Sequence, residues 1–316
     1  MWAVIDRPYI GNRIHPRKVT MNRIVECVPN FSEGRRTDIV DAIERAAQST
    51  PDVYVLDRHV DPDYNRSVLT IAGTPERIAD GVFAAIVVAT QQIDLRSQIG
   101  EHPRLGASDV VPFVPIKEVT MEECVEIARQ TGQRIADELH IPVFLYEAAA
   151  TRKDRSRLEQ IRTLEHEGRG VPDFGPHHLH PTAGAIVVGA RKPLIAYNVD
   201  LETADIRIAK QIARQIRTSN GGLPALKAIG VFLESRGHAQ VSMNLTDYEQ
   251  TSLFEAYTAV SRQAEFLGIR ASTSELIGLA PRAAFGASIE ATIKAICLQP
   301  FSPSMVLETR LADIIP

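Results

Sequence analysis

The sequence predicts an α/β protein of two related subdomains, each a sheet with helices on its outer face. Two observations carry that expectation. From residue 21 onward, short apolar runs of strand length alternate with longer segments of helical periodicity. The same alternation starts afresh after a break over 150–180 that is first charged and then rich in Gly, Pro and His. A chain of 316 residues can bury two such cores. The expected divisions are an N-terminal extension over 1–20, a first subdomain over 21–192 and a second over 193–316.

The elements follow in order. Residues 1–20 carry basic residues and prolines without a periodic apolar face, and are expected to be unstructured or weakly docked. "RIVECV" (23–28) reads as a strand, and "RTDIVDAIERAAQ" (36–48) spaces Ile39, Ile43 and Ala46–Ala47 for a helix. "VYVLD" (53–57) and "SVLTIAG" (67–73) read as strands around a loop holding His59, Asp61, Asp63, Asn65 and Arg66. A helix over 74–93 is expected to open with Thr74 as N-cap and Pro75 in its first turn. "VPFVPI" reads as the next strand, followed by a helix from the Thr120–Glu123 capping box to about Leu139 and a strand at "VFLYEAA" (143–149). In the second half, "GAIVVG", "LIAYNVDL" and "HAQVSMNL" (238–245) read as strands. Helices are expected over 203–217, 252–268 and near 285–297. A ligand would fit naturally in a cleft between the halves.

Composition excludes several classes. A net charge of −4 gives no general basic face for nucleic acid. No apolar run approaches the ~18 residues that cross a bilayer. Cys27, Cys124 and Cys297 are widely spaced, and with no secretory signal the expectation is a cytoplasmic chain with reduced thiols. There is no GxGxxG, Walker or GxSxG sequence to support dinucleotide binding, nucleotide hydrolysis or a serine hydrolase.

"GEHPRLGASDVVPF" (100–113) carries the strongest candidate chemistry. Gly100 and Gly106 suit a hairpin with positive φ, and Pro103 stiffens the turn. His102 titrates near neutrality and is the leading acid–base candidate, against the plainer reading of a turn histidine bonded to its own backbone. "PHHLH" supplies His177, His178 and His180, of which His178 and His180 could share one face of an extended chain. A zinc site there would need further ligands such as His59 or Asp63, making a metal-dependent hydrolase the rival reading. "TSNGGLP" (218–224) places Gly221 and Gly222 after a helix, as a C-cap or as a close approach to a flat ligand.

Seven blocks, in order, resemble the glutamate formiminotransferase family: "ECVPNFSEGR" (26–35), "NRSVLTIAG" (65–73), "GEHPRLGASDVVPFVPI" (100–116), "VPDFGP" (171–176), "GARKPLIAYNVDL" (189–201), "GGLPALKAIG" (221–230) and "AQVSMNLTDYE" (239–249). The resemblance implies two α/β subdomains enclosing a folate-binding cleft, usually in a homodimer, and a chain corresponding to the stand-alone transferase. It implies transfer of a formimino group from N-formimino-L-glutamate to N5 of tetrahydrofolate, a step of histidine degradation. Tetrahydrofolate is then the co-substrate, and no metal, nucleic acid or membrane is expected. The family's catalytic histidine falls on His102. Its folate segment falls on Phe174, Gly175, Pro176, His177, His178, Leu179, His180, Pro181, Thr182 and Ala183, with a further contact at Gly221 or Gly222. Both substrates carry carboxylates, for which Arg66 and Arg104 are the candidate ligands, beside the plainer reading of surface ion pairs. Formyl transfer between 5-formyltetrahydrofolate and glutamate would use the same histidine.

Overall fold

The computed structural model describes residues 22–100, 104–166 and 170–313. The extension over 1–20 and the histidine at 102 lie outside the described residues.

Alternating apolar residues build two sheets. The first runs through β1 (Ile24–Cys27), β2 (Asn30–Phe31), β3 (Val53–Asp61), β4 (Arg66–Gly73), β5 (Ser108–Lys117), β6 (Val143–Glu147) and β7 (Ile186–Ala190). The short β1 and β2 follow one another between β4 and β5, antiparallel to both, and β3 lies outside β4. On the other side β5, β7 and β6 are parallel, with β7 in the middle. Helices α1 (Thr37–Gln48), α2 (Ile78–Gln92) and α3 (Met121–Leu139) contribute to a core with Val25, Cys27, Leu69, Ile71, Val111 and Phe113. Period two then sends Ile24, Ala72 and Val110 to the opposite face. There Val110 packs with Ile161 of α4 (Leu158–His166).

The second sheet is antiparallel throughout, in the order β11 (Ala271–Ile277), β8 (Ile195–Leu201), β10 (His238–Leu245), β9 (Leu226–Leu233). Ile195, Tyr197, Val199 and Leu201 form a core with α5 (Ile206–Ile216) and α6 (Leu253–Phe266). The intervening residues of β8 and β10 carry a buried polar network instead: Gln240 donates to Asp200 at 2.7 Å and to Glu275 at 3.0 Å. Past α7 (Ile289–Ala295) the chain returns to the first sheet through α8 (Leu307–Ala312). Leu307 and Leu311 bury against Ile24, Leu56 and Ala72, and Arg310 donates to the Leu56 carbonyl at 2.9 Å through Nε. Among the described residues no helix is long and apolar enough to cross a membrane.

Most expected elements are present, and the differences have local causes. The capping boxes Thr120–Glu123 and Ser252–Glu255 start α3 and α6 as their sequences require. Thr74 caps nothing. Its carbonyl accepts from Arg77 and Ile78 in a turn, Arg77 leaves helical geometry at φ −121°, and α2 begins only at Ile78. Strand β3 extends to Asp61 and absorbs His59, which had been expected in a loop. The strands β9 and β11 were not anticipated, and the expected helix near 285–297 contracts to the seven residues of α7.

Glu26 on β1 is 6% exposed, between the two cores. Burial pushes its carboxyl up to about 7, Arg191 opposing and Glu308 adding to the rise. The folded chain therefore binds a proton that the unfolded chain, at the ordinary 4.5, releases earlier. Stability tied to this group falls as pH climbs from about 4.5 through about 7, by about 3 kcal/mol at most. Glu26→Gln is expected to raise the denaturation midpoint at pH 8 and leave it nearly unchanged at pH 4. Equal shifts at both pH values in urea titrations would contradict that assignment.

Candidate functional site

Two buried side chains hold the segment around position 102 from either side. On the N-terminal side stands Asn65, 3% exposed and at φ 47°, a left-handed conformation that asparagine tolerates better than most residues. Its Oδ1 accepts from Gly34 N at 2.9 Å, and its Nδ2 donates to Gln98 Oε1 at 2.5 Å and to the Ile99 carbonyl at 3.1 Å. Three loops are thereby tied to one amide. Gly100 then lies so close to Tyr64 that an added Cβ would stand 2.4 Å from its carbonyl oxygen. Arg104 donates to that same oxygen at 3.1 Å, so Gly100 and Arg104 both meet Tyr64.

On the C-terminal side stands Asp109, 2% exposed. Its Oδ1 accepts from Leu105 N at 2.7 Å, and its Oδ2 from the Arg162 guanidinium at 2.5 Å. Arg66 bonds the Asn30 side chain. Burial pushes the Arg66 guanidinium down to about 10, with Asp109 opposing and Arg162 adding to the fall, so it remains a cation at neutral pH. Burial lowers Arg104 as well, again opposed by Asp109. Glu33 closes the next loop, accepting from Arg35 N at 2.9 Å and Arg36 N at 3.0 Å. Burial would raise its carboxyl, but those bonds and the side chains of Arg36 and Gln98 hold it below the ordinary value. Phe31, Ser32, Tyr64, Asn65, Arg66, Arg104 and Asp109 line a crevice too narrow to hold a water molecule. A larger cavity of about 440 Å³ lies along β3 beside Arg310 and contains none of the expected site residues.

The structure separates the expected ligands. Arg66 and Arg104 converge on the crevice. Thr182 and Ala183 come beside the same loop: Leu95 N donates to the Thr182 carbonyl at 2.8 Å, and Ala107 N to the Ala183 carbonyl at 2.9 Å. Phe174 belongs to the first core, bridging to Val143, and Gly175 turns away at φ 86°. His177, His178 and Leu179 are exposed, whereas His180 Nδ1 accepts from Ala183 N at 3.0 Å. Among the described residues, no three His, Cys, Asp or Glu side chains converge as metal ligands. Gly221 and Gly222 close the end of α5, where Gly222 N donates to the Arg217 carbonyl at 3.1 Å.

Gly100 and Gly106 do not take positive φ. Their absent side chains matter instead, since a Cβ on Gly106 would sit 1.9 Å from the Ala185 carbonyl oxygen. Sequence reading missed Asn65 and Arg162 as groups that shape the site, and it marked Asp109 as a charged group of this stretch without assigning its role. Asn65 and Asp109 stand inside the quoted blocks, but Arg162 sits in a stretch read as loop.

Two domain models match the chain: the formiminotransferase N-terminal subdomain over residues 24–191 and the formiminotransferase domain over 196–295. The chain belongs to the formiminotransferase family. It is 46% identical over 269 residues to the glutamate formimidoyltransferase of Streptococcus pyogenes serotype M1, covering 83% of this chain and 90% of that protein. The glutamate formimidoyltransferase of Thermoplasma acidophilum is 42% identical, with coverage of 91% and 97%. The formimidoyltransferase-cyclodeaminase of Rattus norvegicus is 44% identical, and the match spans 83% of this chain and 51% of that longer protein. The two matched models correspond to the two sheets of this formiminotransferase.

Gly106→Ala is expected to push Ala185 away and separate β5 from β7 at the crevice. Clashes of this kind cost roughly 1–3 kcal/mol or more. Thermal denaturation should show a lower Tm. A Gly106→Ala protein as stable as the parent would remove the close packing from this account.

Proposed function

We propose that this chain transfers the formimino group from N-formimino-L-glutamate to N5 of tetrahydrofolate, releasing L-glutamate and 5-formiminotetrahydrofolate. The observation that carries the reading is the block "GEHPRLGA", preceded by Ile99 held on Asn65 and continued by Arg104 and Leu105 held on Tyr64 and Asp109, in a chain 46% identical to a named glutamate formimidoyltransferase. His102 is the acid–base group. It takes the proton from N5 as the new N5–carbon bond forms, and returns it to the departing glutamate nitrogen as the old carbon–nitrogen bond breaks. One histidine serves both steps if both nitrogens come within hydrogen-bond reach of it. Orienting two soluble substrates supplies much of the rest, with effective molarities of roughly 10⁵ M or more.

Tetrahydrofolate is the co-substrate, lying along 174–183 between the two sheets. The polar face of the second sheet supports that placement. Burial pushes the Tyr64 hydroxyl up to about 12, and the nearby Ser242 of β10 offsets part of the rise, so Tyr64 stands between the crevice and the second sheet. Arg66 and Arg104 bind substrate carboxylates. N5 is already a nucleophile, so the chemistry requires no metal. In the same reading the protein is a cytoplasmic homodimer acting in histidine degradation.

Steady-state turnover of N-formimino-L-glutamate with tetrahydrofolate tests the assignment, with N-formylglutamate as the competing donor. His102→Ala is expected to lower kcat by roughly 10²–10⁴ while folate KM changes little. Exhaustive chelation is expected to leave turnover intact. Activity that tracks zinc occupancy, or His102→Ala with parental kcat, would replace this mechanism with another.

A further inference from the structure

Arg162 stands behind the crevice, bonded to Asp109 of its lining, and is a cation that the sequence did not offer. It sits on α4, in the crossover between β6 and β7. Leu158 and Ile161 anchor that helix against Val110, Phe144 and Val187, and Glu159 is pinned by Lys227 of β9 at 2.9 Å. The helix is thus fastened to both sheets, and its third contact is the Arg162–Asp109 pair at 2.5 Å. Asp109 is the more deeply buried partner, with a side chain 3% exposed against 22% for Arg162. The Arg162 Nε is itself buried and has no acceptor among the described residues. A guanidinium presents its donors as a planar fork, and leaving one buried N–H unmatched is costly. The group that fits such a fork is a carboxylate. Arg162 is also near enough to Arg66 to repel it electrostatically. Asp109 offsets that repulsion, and a ligand carboxylate at Nε would match the donor that Asp109 leaves over.

We propose that Arg162 binds a carboxylate of the amino-acid donor and sets the preference for a dicarboxylate substrate. The inference rests on the function proposed above and names a ligand-binding residue for it. Asp109 then has a double task, orienting this guanidinium while it holds Leu105 in the loop.

Two measurements decide it. With Arg162→Gln, KM for N-formimino-L-glutamate is expected to rise about 10- to 100-fold, the usual loss for a charge-assisted pair. KM for tetrahydrofolate should stay within about twofold of the parent, and Arg162→Lys should recover part of the loss. A rise confined to tetrahydrofolate KM, or a fall in kcat with both KM values unchanged, overturns the inference. The second measurement needs no variant. Phenylglyoxal labelling of the wild-type protein, mapped by mass spectrometry, should be slowed at Arg162 by N-formimino-L-glutamate or L-glutamate and not by tetrahydrofolate alone. Labelling at Arg162 that neither dicarboxylate slows also overturns it. A wild-type protein that shows such protection but no formimino transfer would instead sink the functional reading and leave the carboxylate site standing.

Discussion

One buried carboxylate, Asp109, organises the site. It leads into β5 and accepts from the loop behind it and from α4 beside it. Isolated in an apolar surrounding, such a group would be costly. Its neighbours are Leu105 N and the Arg162 guanidinium, with Arg66 and Arg104 adding favourable electrostatic interaction. Breaking a buried pair from one side leaves a stranded charge, so loop and helix are held to each other through it. The electrostatic match is mutual: Asp109 opposes the loss of basicity that burial imposes on Arg66 and Arg104.

The topology explains why a segment near 102 and one near 182 meet although eighty or so residues of chain separate them. β5 and β7 are parallel neighbours, so the residues entering both strands lie at the same end of the sheet. Leu105–Ala107 enter β5, and Ala183–Ala185 enter β7. Hydrogen bonds from Ala107 to Ala183 and from Ala185 to Leu105 extend the pairing beyond the strands, and the absent Cβ atoms of Gly106 and Gly184 let the backbones close. A parallel pair also requires a long crossover, which passes through β6 and α4. The same connection that satisfies the sheet therefore delivers Arg162 to Asp109.

What the sequence made legible follows from which forces act locally. Capping boxes at Thr120 and Ser252 are contacts within four residues, and both form. The strand at 238–245 sits in the middle of its sheet, and its alternate residues Ala239, Val241, Met243 and Leu245 are uniformly apolar. β9 and β11 are the edges of that sheet, so their outward positions face water or the polar network, and Ile229 is exposed while Glu275 is bonded. Their hydrophobic pattern is correspondingly weak. α4 escaped notice because Leu158 and Ile161 make up most of its apolar face within nine residues. The glycines at 100 and 106 were visible but their purpose was not. A requirement for space depends on what the fold brings alongside, and no local pattern records that.

The three histidines of "PHHLH" show the same limit from the chemical side. Spacing allowed His178 and His180 to share a face, but the backbone has already engaged His180. Its Nδ1 accepts from Ala183 N, so that nitrogen carries no proton and no free lone pair in the folded chain. Burial lowers its basicity first and repulsion from His140 lowers it further, which keeps the ring in the form the turn needs. Only Nε2 is left to offer a ligand, while His177 and His178 stand in the open. A metal site would have to recruit further ligands, and among the described residues no three His, Cys, Asp or Glu side chains converge. A planar ligand makes no such demand. In the reading proposed above it would need a stiff turn, a wall beside the loop and groups that donate or stack, and the bonds tying Thr182 and Ala183 to Leu95 and Ala107 are consistent with the first two.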